Sequence, residues 1–295
     1  MKTRARRILF TLVFGIGMVG LTSCGGDHKV ADPTQPNLLT FSRIDLVPEN
    51  ITGRGVKIAV LDWQFDLSGS KAGKYIDPVS MVPGEAIGEL EPWHGEWMAE
   101  IVHTIAPDVE IIPIRARKLG SEDYEDYLIA GIRYAADHGA TAVTSSMGPL
   151  SQSAALDSVI AYAEERGTIF IDVHPETVKT ANGEIRECAP NECCKLIIHP
   201  GVVSVPDHHA QPEPNRDIYT WPYDLEANYK DGWGYSNAPP IVAGVIALMK
   251  SANPALTTDD IRRLVKETAF EYQGFRCIDA EAAVKAALSQ KPADH

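Results

Sequence analysis

The chain is predicted to fold as an α/β three-layer sandwich, a mostly parallel central sheet with helices on both faces. Three observations point there. From about Ile51 onward, short apolar runs alternate with amphipathic stretches. The runs are rich in β-branched residues and bounded by glycines, as buried strands are. The stretches between them are long enough to carry crossover helices, and a sheet of parallel strands needs both faces covered.

In chain order, Val56–Leu61, bounded by Gly53 and Gly55, reads as a buried strand. Residues 95–105 read as a helix and Val109–Arg115 as the next strand. Tyr124–His138 places Tyr127, Leu128, Ile132 and Ala135 on one helical face and stops at Gly139. Thr141–Ser146 is a β-branched strand, Ala154–Glu165 a helix stopped by Gly167, and Thr168–Val173 a strand. Residues 175–235 break the rhythm with cysteines, prolines and the aromatics Tyr219, Trp221, Tyr223, Tyr229, Trp233 and Tyr235. That stretch reads as loop with short strands, its aromatics either packing the loop or lining a cleft. After Ser236 a small-residue helix runs to about Ser251. A further helix covers Thr257–Phe270, with Thr257 as N-cap and Asp260 completing a capping box, and a last one Asp279–Leu288.

The first 23 residues stand apart. Lys2, Arg4, Arg6 and Arg7 precede an apolar stretch from Ile8 to Leu21, and small residues then lead into Cys24. This is the pattern of a secretory leader, and Leu21-Thr22-Ser23-Cys24 resembles a bacterial lipobox, in which the cysteine is lipidated. The expected organisation is a lipoprotein signal peptide over 1–23, a lipidated N-terminus and flexible tether over 24–50, and one domain over 51–290. Attachment to a membrane through the Cys24 lipid is expected. Gly25 rather than Asp favours the outer membrane of a Gram-negative cell envelope.

The formal net charge is −13, and the leader holds four of the cations. So acidic a chain lacks the basic face that phosphate binding needs, and nucleic acid is not an expected partner. A monomer is expected. With Cys24 set aside, Cys188, Cys193, Cys194 and Cys277 remain. In an oxidising compartment they suggest two disulfides, Cys188 with one of Cys193 and Cys194, and Cys277 with the other. A metal site using His199 is the alternative, but no second tight cysteine pair supports it, so no metal ligand is assigned.

Three segments carry chemistry-bearing residues. GVKIAVLDWQFD (55–66) ends a strand on Asp62; HGEWMAEIVHTIAPD (94–108) opens a helix on His94; GYSNAPPIVAGVIALM (234–249) sets Ser236 before a helix. A serine hydroxyl becomes a nucleophile when a base takes its proton, and the base works best when a carboxylate fixes its tautomer. Asp62, His94 and Ser236 suit those three roles, and a helix N-terminus behind Ser236 would favour a developing oxyanion. Pro239 and Pro240 fit a first helical turn. Taken singly, Asp62 could merely end a strand, His94 begin a helix and Ser236 cap one.

Taken together, the segments resemble those of the subtilisin-like serine protease family, over roughly Gly53 to Leu288. IAPDVEIIPIRA (105–116), TAVTSSMGP (141–149) and GFRCIDAEAAV (274–284) are similar to family segments too. The resemblance implies a subtilisin-like fold and a serine endopeptidase acting on peptides or proteins. It implies an Asp62/His94/Ser236 triad, with Ser146, Met147 and Gly148 as the edge on which an extended peptide lies. Structural calcium is common in the family, although no Asp/Asn-rich loop identifies a site here; no cofactor is otherwise expected.

The chain also departs from the family pattern. Glu96, Trp97 and Met98 follow His-Gly, Trp63 follows Asp62, and Tyr235, Asn237 and Pro239 flank the serine. The family's oxyanion-hole Asn belongs just past the strand ending near Val173, where this chain reads His174-Pro175-Glu176. His174 and Asn182 are the candidate replacements. Losing one such donor lowers turnover by about 10²–10³, so a slow enzyme is compatible with the substitution. The short stretch between Cys24 and the first strand leaves no room for a family-type propeptide. Both features favour the rival reading, an impaired pseudoprotease that binds peptides or proteins at the cell envelope. The intact Asp-His-Ser set favours the enzyme. An esterase is disfavoured because the serine lacks a Gly-x-Ser-x-Gly elbow.

Overall fold

A computed structural model describes residues 38–68, 73, 75–88, 94–118, 124–147, 153–174, 177–179, 185–187, 202–206, 234–272 and 275–290. Strands β1 (Lys57–Asp62), β2 (Val79–Ser80), β3 (Glu110–Arg115), β4 (Ala142–Ser145) and β5 (Ile169–His174) are followed by an antiparallel ribbon, β6 (Thr177–Lys179) and β7 (Ile185–Glu187), and by β8 (Val202–Pro206). Six of them form one parallel sheet in the order β2-β3-β1-β4-β5-β8. The helices are α1 (Leu38–Phe41), α2 (His94–Ile105), α3 (Glu125–Asp137), α4 (Ala154–Glu165), α5 (Ala238–Ala252), α6 (Thr258–Thr268) and α7 (Ala280–Ser289).

Two cores lie on opposite faces of the sheet, because successive strand residues point opposite ways. Ile58 and Val60 of β1 join Ile101, Val102 and Ile105 of α2 and Val242, Val245 and Ile246 of α5. Ala59 and Leu61 join Leu128 and Ile132 of α3 and Leu156, Val159 and Ile160 of α4. The expected three-layer sandwich is therefore present. From Ala238 to Met249 every residue of α5 is buried, as befits a helix apolar all round. Its Gly244 sits against α2, where an added β-carbon would lie 2.8 Å from the Ile105 β-carbon.

The capping box predicted at Thr257 is in place, and a second cap stands at Asp279. Thr257 and Asp260 exchange hydrogen bonds at the start of α6, and the Asp279 carboxylate accepts from the Ala282 N–H at the start of α7. Helix α6 ends before Phe270, which instead begins β9 (Phe270–Tyr272), paired antiparallel with β10 (Phe275–Cys277). Strand β8, within the stretch read as mostly loop, belongs to the main sheet.

Two expectations are corrected. Cys277 is a free thiol, so the disulfide expected of it is not formed. Its place explains why: it is buried on β10 with Phe41, and Phe270 and Tyr272 pack against that pair. Burial pushes the thiol pKa up to about 12, away from the thiolate that disulfide exchange requires. The membrane-anchor expectation is narrowed: among the described residues no helix is long and apolar enough to cross a membrane, so none of them supplies a spanning anchor. Cys24, Cys188, Cys193 and Cys194 lie outside the described residues.

Candidate active site

The site begins where β1 ends. In a parallel sheet the carboxyl ends of adjacent strands open a crevice, and Asp62 is the last residue of the central strand β1. It is fully buried. One carboxylate oxygen accepts from the Trp63 N–H at 2.7 Å; the other faces His94 Nδ1, also at 2.7 Å. An ionised carboxylate can only accept, so the imidazole proton sits on Nδ1 and Nε2 is left as the base.

His94 is the first residue of α2 and is buried. Its neighbour explains how it comes so near Asp62. At Gly95 an added β-carbon would lie 2.7 Å from the Gln64 carbonyl oxygen and 3.0 Å from the Asp62 β-carbon. Only a residue without a side chain lets the helix start press so closely on the chain after β1. Burial pulls the imidazole pKa down, the charge and hydrogen bond of Asp62 push it up, and the Arg117 cation pulls it down. The balance lies above the ordinary value of 6.5.

Ser236 stands in a single 3₁₀ turn, Gly234–Asn237, that leads into α5. Its backbone carbonyl accepts from the Ser146 hydroxyl at 2.7 Å, which ties the turn to the residue just past β4. Asn237 is the N-cap and prolines occupy the first turn of α5, where absent N–H groups leave no hydrogen bond unmade. The 3₁₀ turn also packs on α2, the helix that carries His94. Three separate segments thus converge at one end of the sheet. Ser146 and Met147 lie beside them, both buried. His174 is the last residue of β5, opposite Pro206 of β8. Gly148 and Asn182 lie outside the described residues.

Several residues around the pair were not singled out as site residues. Glu96, one of the departures from the family pattern, accepts from the Asp66 N–H at 3.0 Å and from the Tyr75 hydroxyl at 2.8 Å. It fastens the chain after Asp62 to the helix of His94. Burial is the chief cause that raises both the Glu96 and the Tyr75 pKa. Gln64 accepts from the Gly88 N–H at 2.9 Å. The adjoining 85–86 segment is held by Arg115, which pairs with Glu85 and donates to the Ala86 carbonyl at 3.0 Å. Trp63 places its ring 6.2 Å from the His94 ring, and the Arg117 guanidinium lies 4.7 Å over Trp63. The only sequence signal for these roles is the departure itself at Trp63 and Glu96. Among the described residues no group of three or more His, Cys, Asp or Glu could hold a metal ion.

Comparison with known proteins agrees with this geometry. Residues 197–291 match the Subtilase family. M-protease of Shouchella clausii (strain KSM-K16) is 25% identical over 257 residues, covering 80% of this chain and 66% of its own. Subtilisin Savinase of Lederbergia lenta is also 25% identical over 257 residues, covering 80% of this chain and 93% of its own. The chain therefore spans just under two thirds of the first relative and most of the second. Among solved structures, fervidolysin from Fervidobacterium pennivorans, described as a keratinolytic enzyme related to subtilisin, superposes with a TM-score of 0.65 at 19% identity. The match covers 88% of this chain and 47% of that one, and it bears on the fold alone.

Proposed function

We infer that this chain belongs to the subtilase family and is a serine endopeptidase that hydrolyses peptide bonds through an acyl-enzyme on Ser236. The observation that carries the reading is the buried Asp62–His94 pair, held at 2.7 Å at the carboxyl end of the central strand. A bare structural role gives no reason to bury a carboxylate and an imidazole together beside the turn that bears the serine.

In the proposed mechanism His94 Nε2 takes the Ser236 hydroxyl proton as the oxygen attacks the substrate carbonyl. Asp62 keeps the imidazole in the productive tautomer and stabilises the imidazolium that forms. The imidazolium then gives its proton to the departing amine. Water, deprotonated by His94, releases the acid product and restores Ser236. The N-terminal end of α5 supplies a positive dipole to the oxyanion, with His174 or Asn182 proposed as side-chain donor. The edge 146–148 is proposed as the track for an extended peptide. No cofactor enters this scheme. The basic-then-apolar start and Cys24 support export to the cell envelope, with Cys24 as the lipidated residue.

A fluorophosphonate probe tests the reading. It is expected to label the purified protein but not its Ser236→Ala or His94→Ala variants. A folded wild-type protein that stays unlabelled overturns it and leaves a peptide-binding module in its place.

A further inference from the structure

We propose that Glu96 is a positioning residue of this site: through Tyr75 and the segment after β1 it fixes the start of α2, and with it the His94 imidazole, on Asp62. The proposal rests on the endopeptidase reading and adds to it a residue that touches neither substrate nor the reacting atoms.

Glu96 follows His94 by two residues, about 200° round the helix, so its side chain leaves α2 on another side. Its Oε2 ties down two distant pieces of chain. It accepts from the Asp66 N–H at 3.0 Å and from the Tyr75 hydroxyl at 2.8 Å. Tyr75 is itself anchored to the sheet. It forms a parallel bridge with Ile111 of β3, and the Ile76 N–H donates to the Ile111 carbonyl at 2.8 Å. Two turns beyond Glu96, on the same face of α2, the His103 ring stacks on Tyr75 with centres 6.1 Å apart. Helix α2 thus grips one sheet-anchored tyrosine by its ring and by its hydroxyl.

Between that tyrosine and the helix start lies Phe65, fully buried. Its ring meets the Tyr75 ring edge-on, centres 6.3 Å apart, and its Cζ would lie 2.9 Å from a β-carbon added at Gly95. The order of contacts is therefore Tyr75, Phe65, Gly95, with His94 next along the chain. Releasing the Tyr75 hydroxyl or the Asp66 N–H frees the segment 63–66 to lift. The same segment supplies the Trp63 N–H that holds the Asp62 carboxylate at 2.7 Å. One oxygen of Glu96 thus bears on both members of the pair, through bonds that a carboxylate acceptor makes stronger than neutral ones. A negative charge in the first turn of α2 also suits the helix dipole, but that role alone needs neither Tyr75 nor Asp66.

The test uses the full chain in three variants, Glu96→Leu, Glu96→Gln and Tyr75→Phe. Active serines are counted with the fluorophosphonate, so that turnover is read per competent site. A displacement of about 1 Å at the reacting groups costs roughly 10²-fold, so kcat in Glu96→Leu is expected to fall roughly ten- to a hundredfold, with KM within about twofold. Tyr75→Phe keeps the charge and loses one hydrogen bond, for an expected fall in kcat of roughly three- to tenfold. Glu96→Gln keeps an oxygen acceptor without the charge, and most of the turnover is expected to return. The downfield proton resonance of the Asp62–His94 hydrogen bond should broaden or shift in Glu96→Leu and Tyr75→Phe and persist in Glu96→Gln. A residue that merely supports the fold would lower the melting temperature and leave the resonance and kcat per labelled serine alone. That result overturns the proposal, as does a Glu96→Gln variant as slow as Glu96→Leu. If Glu96→Leu does not fold, Tyr75→Phe decides by the same readouts. A wild type that is neither labelled nor active overturns the endopeptidase reading instead, and the resonance, which needs no turnover, still tests the tie.

Discussion

Two forces compete at His94. Desolvation favours the neutral ring, and the Asp62 carboxylate at 2.7 Å favours the cation strongly enough to raise the pKa above 6.5. Activity and stability should consequently run in opposite directions with pH. The base must be neutral to accept the serine proton, so kcat/KM is expected to rise through a midpoint above 6.5 rather than at it. A group whose folded pKa is raised stabilises fully below its unfolded value and loses that contribution as pH climbs through the folded one. The melting temperature should therefore fall over the interval in which activity rises. Asp62→Asn keeps the shape but lets Nδ1 be the unprotonated nitrogen. Turnover should drop by roughly 10⁴, and both pH trends should lose this contribution. A rate profile with its midpoint below 6.5 in wild type would contradict the account. The measurement is kcat/KM and thermal unfolding in the same buffers.

At the scale of elements, the helices beside His94 and Ser236 depend on glycines that let backbones meet. Gly244 lets α5, which follows Ser236, cross α2, which begins at His94, with an added β-carbon only 2.8 Å from that of Ile105. The obstacle is a β-carbon and not the flexible end of a side chain, so Gly244→Ala must push the two helices apart. The expected loss is about 1–3 kcal/mol in chemical denaturation, the cost of overfilling a packed core. Turnover should fall as well in the fraction that stays folded. Unchanged stability would mean that the helices slide apart at no cost. Such contacts mark the limit of what the sequence discloses. Strands β1, β3, β4 and β5 were legible because their apolar runs are buried on both faces, and α6 because Thr257 and Asp260 form a capping box at its start. The Asp62–His94 pair was legible through its two local segments, and the third segment offers Ser236 as the candidate nucleophile. Strand β8 was not, since five residues amid Pro- and Cys-rich chain carry too little periodicity to separate strand from loop. The end of α6 was overrun because Phe270 continues its apolar face yet pairs with Cys277 on β10. The Glu96–Tyr75 tie and the Arg117–Trp63 stack join residues distant in sequence, and no local pattern announces such pairs.

At the scale of the whole molecule, the first and last stretches of the described residues meet in one cluster, whose buried cysteine offers a readout of opening. Phe41, the last residue of α1, packs its ring 5.3 Å from Phe270 and 5.1 Å from Tyr272. Arg43 pairs with Asp279, the cap of α7. Cys277 lies beneath these contacts, 3% exposed, with its thiol held protonated by burial. An alkylating agent needs both access and thiolate, and the native state offers little of either. Modification of Cys277 must then proceed through opening of the cluster, which closes α7 against the body of the fold. If that opening is global unfolding, the labelling rate of the Cys277 peptide, read by mass spectrometry, should track the unfolded population as urea rises. It should extrapolate to the stability measured by spectroscopy. Labelling much faster than that extrapolation, with little dependence on urea, would show that the C-terminal layer opens alone. In that case Asp279→Ala, which removes both the helix cap and the Arg43 pair, should speed Cys277 labelling while leaving the pH profile of His94 where it was.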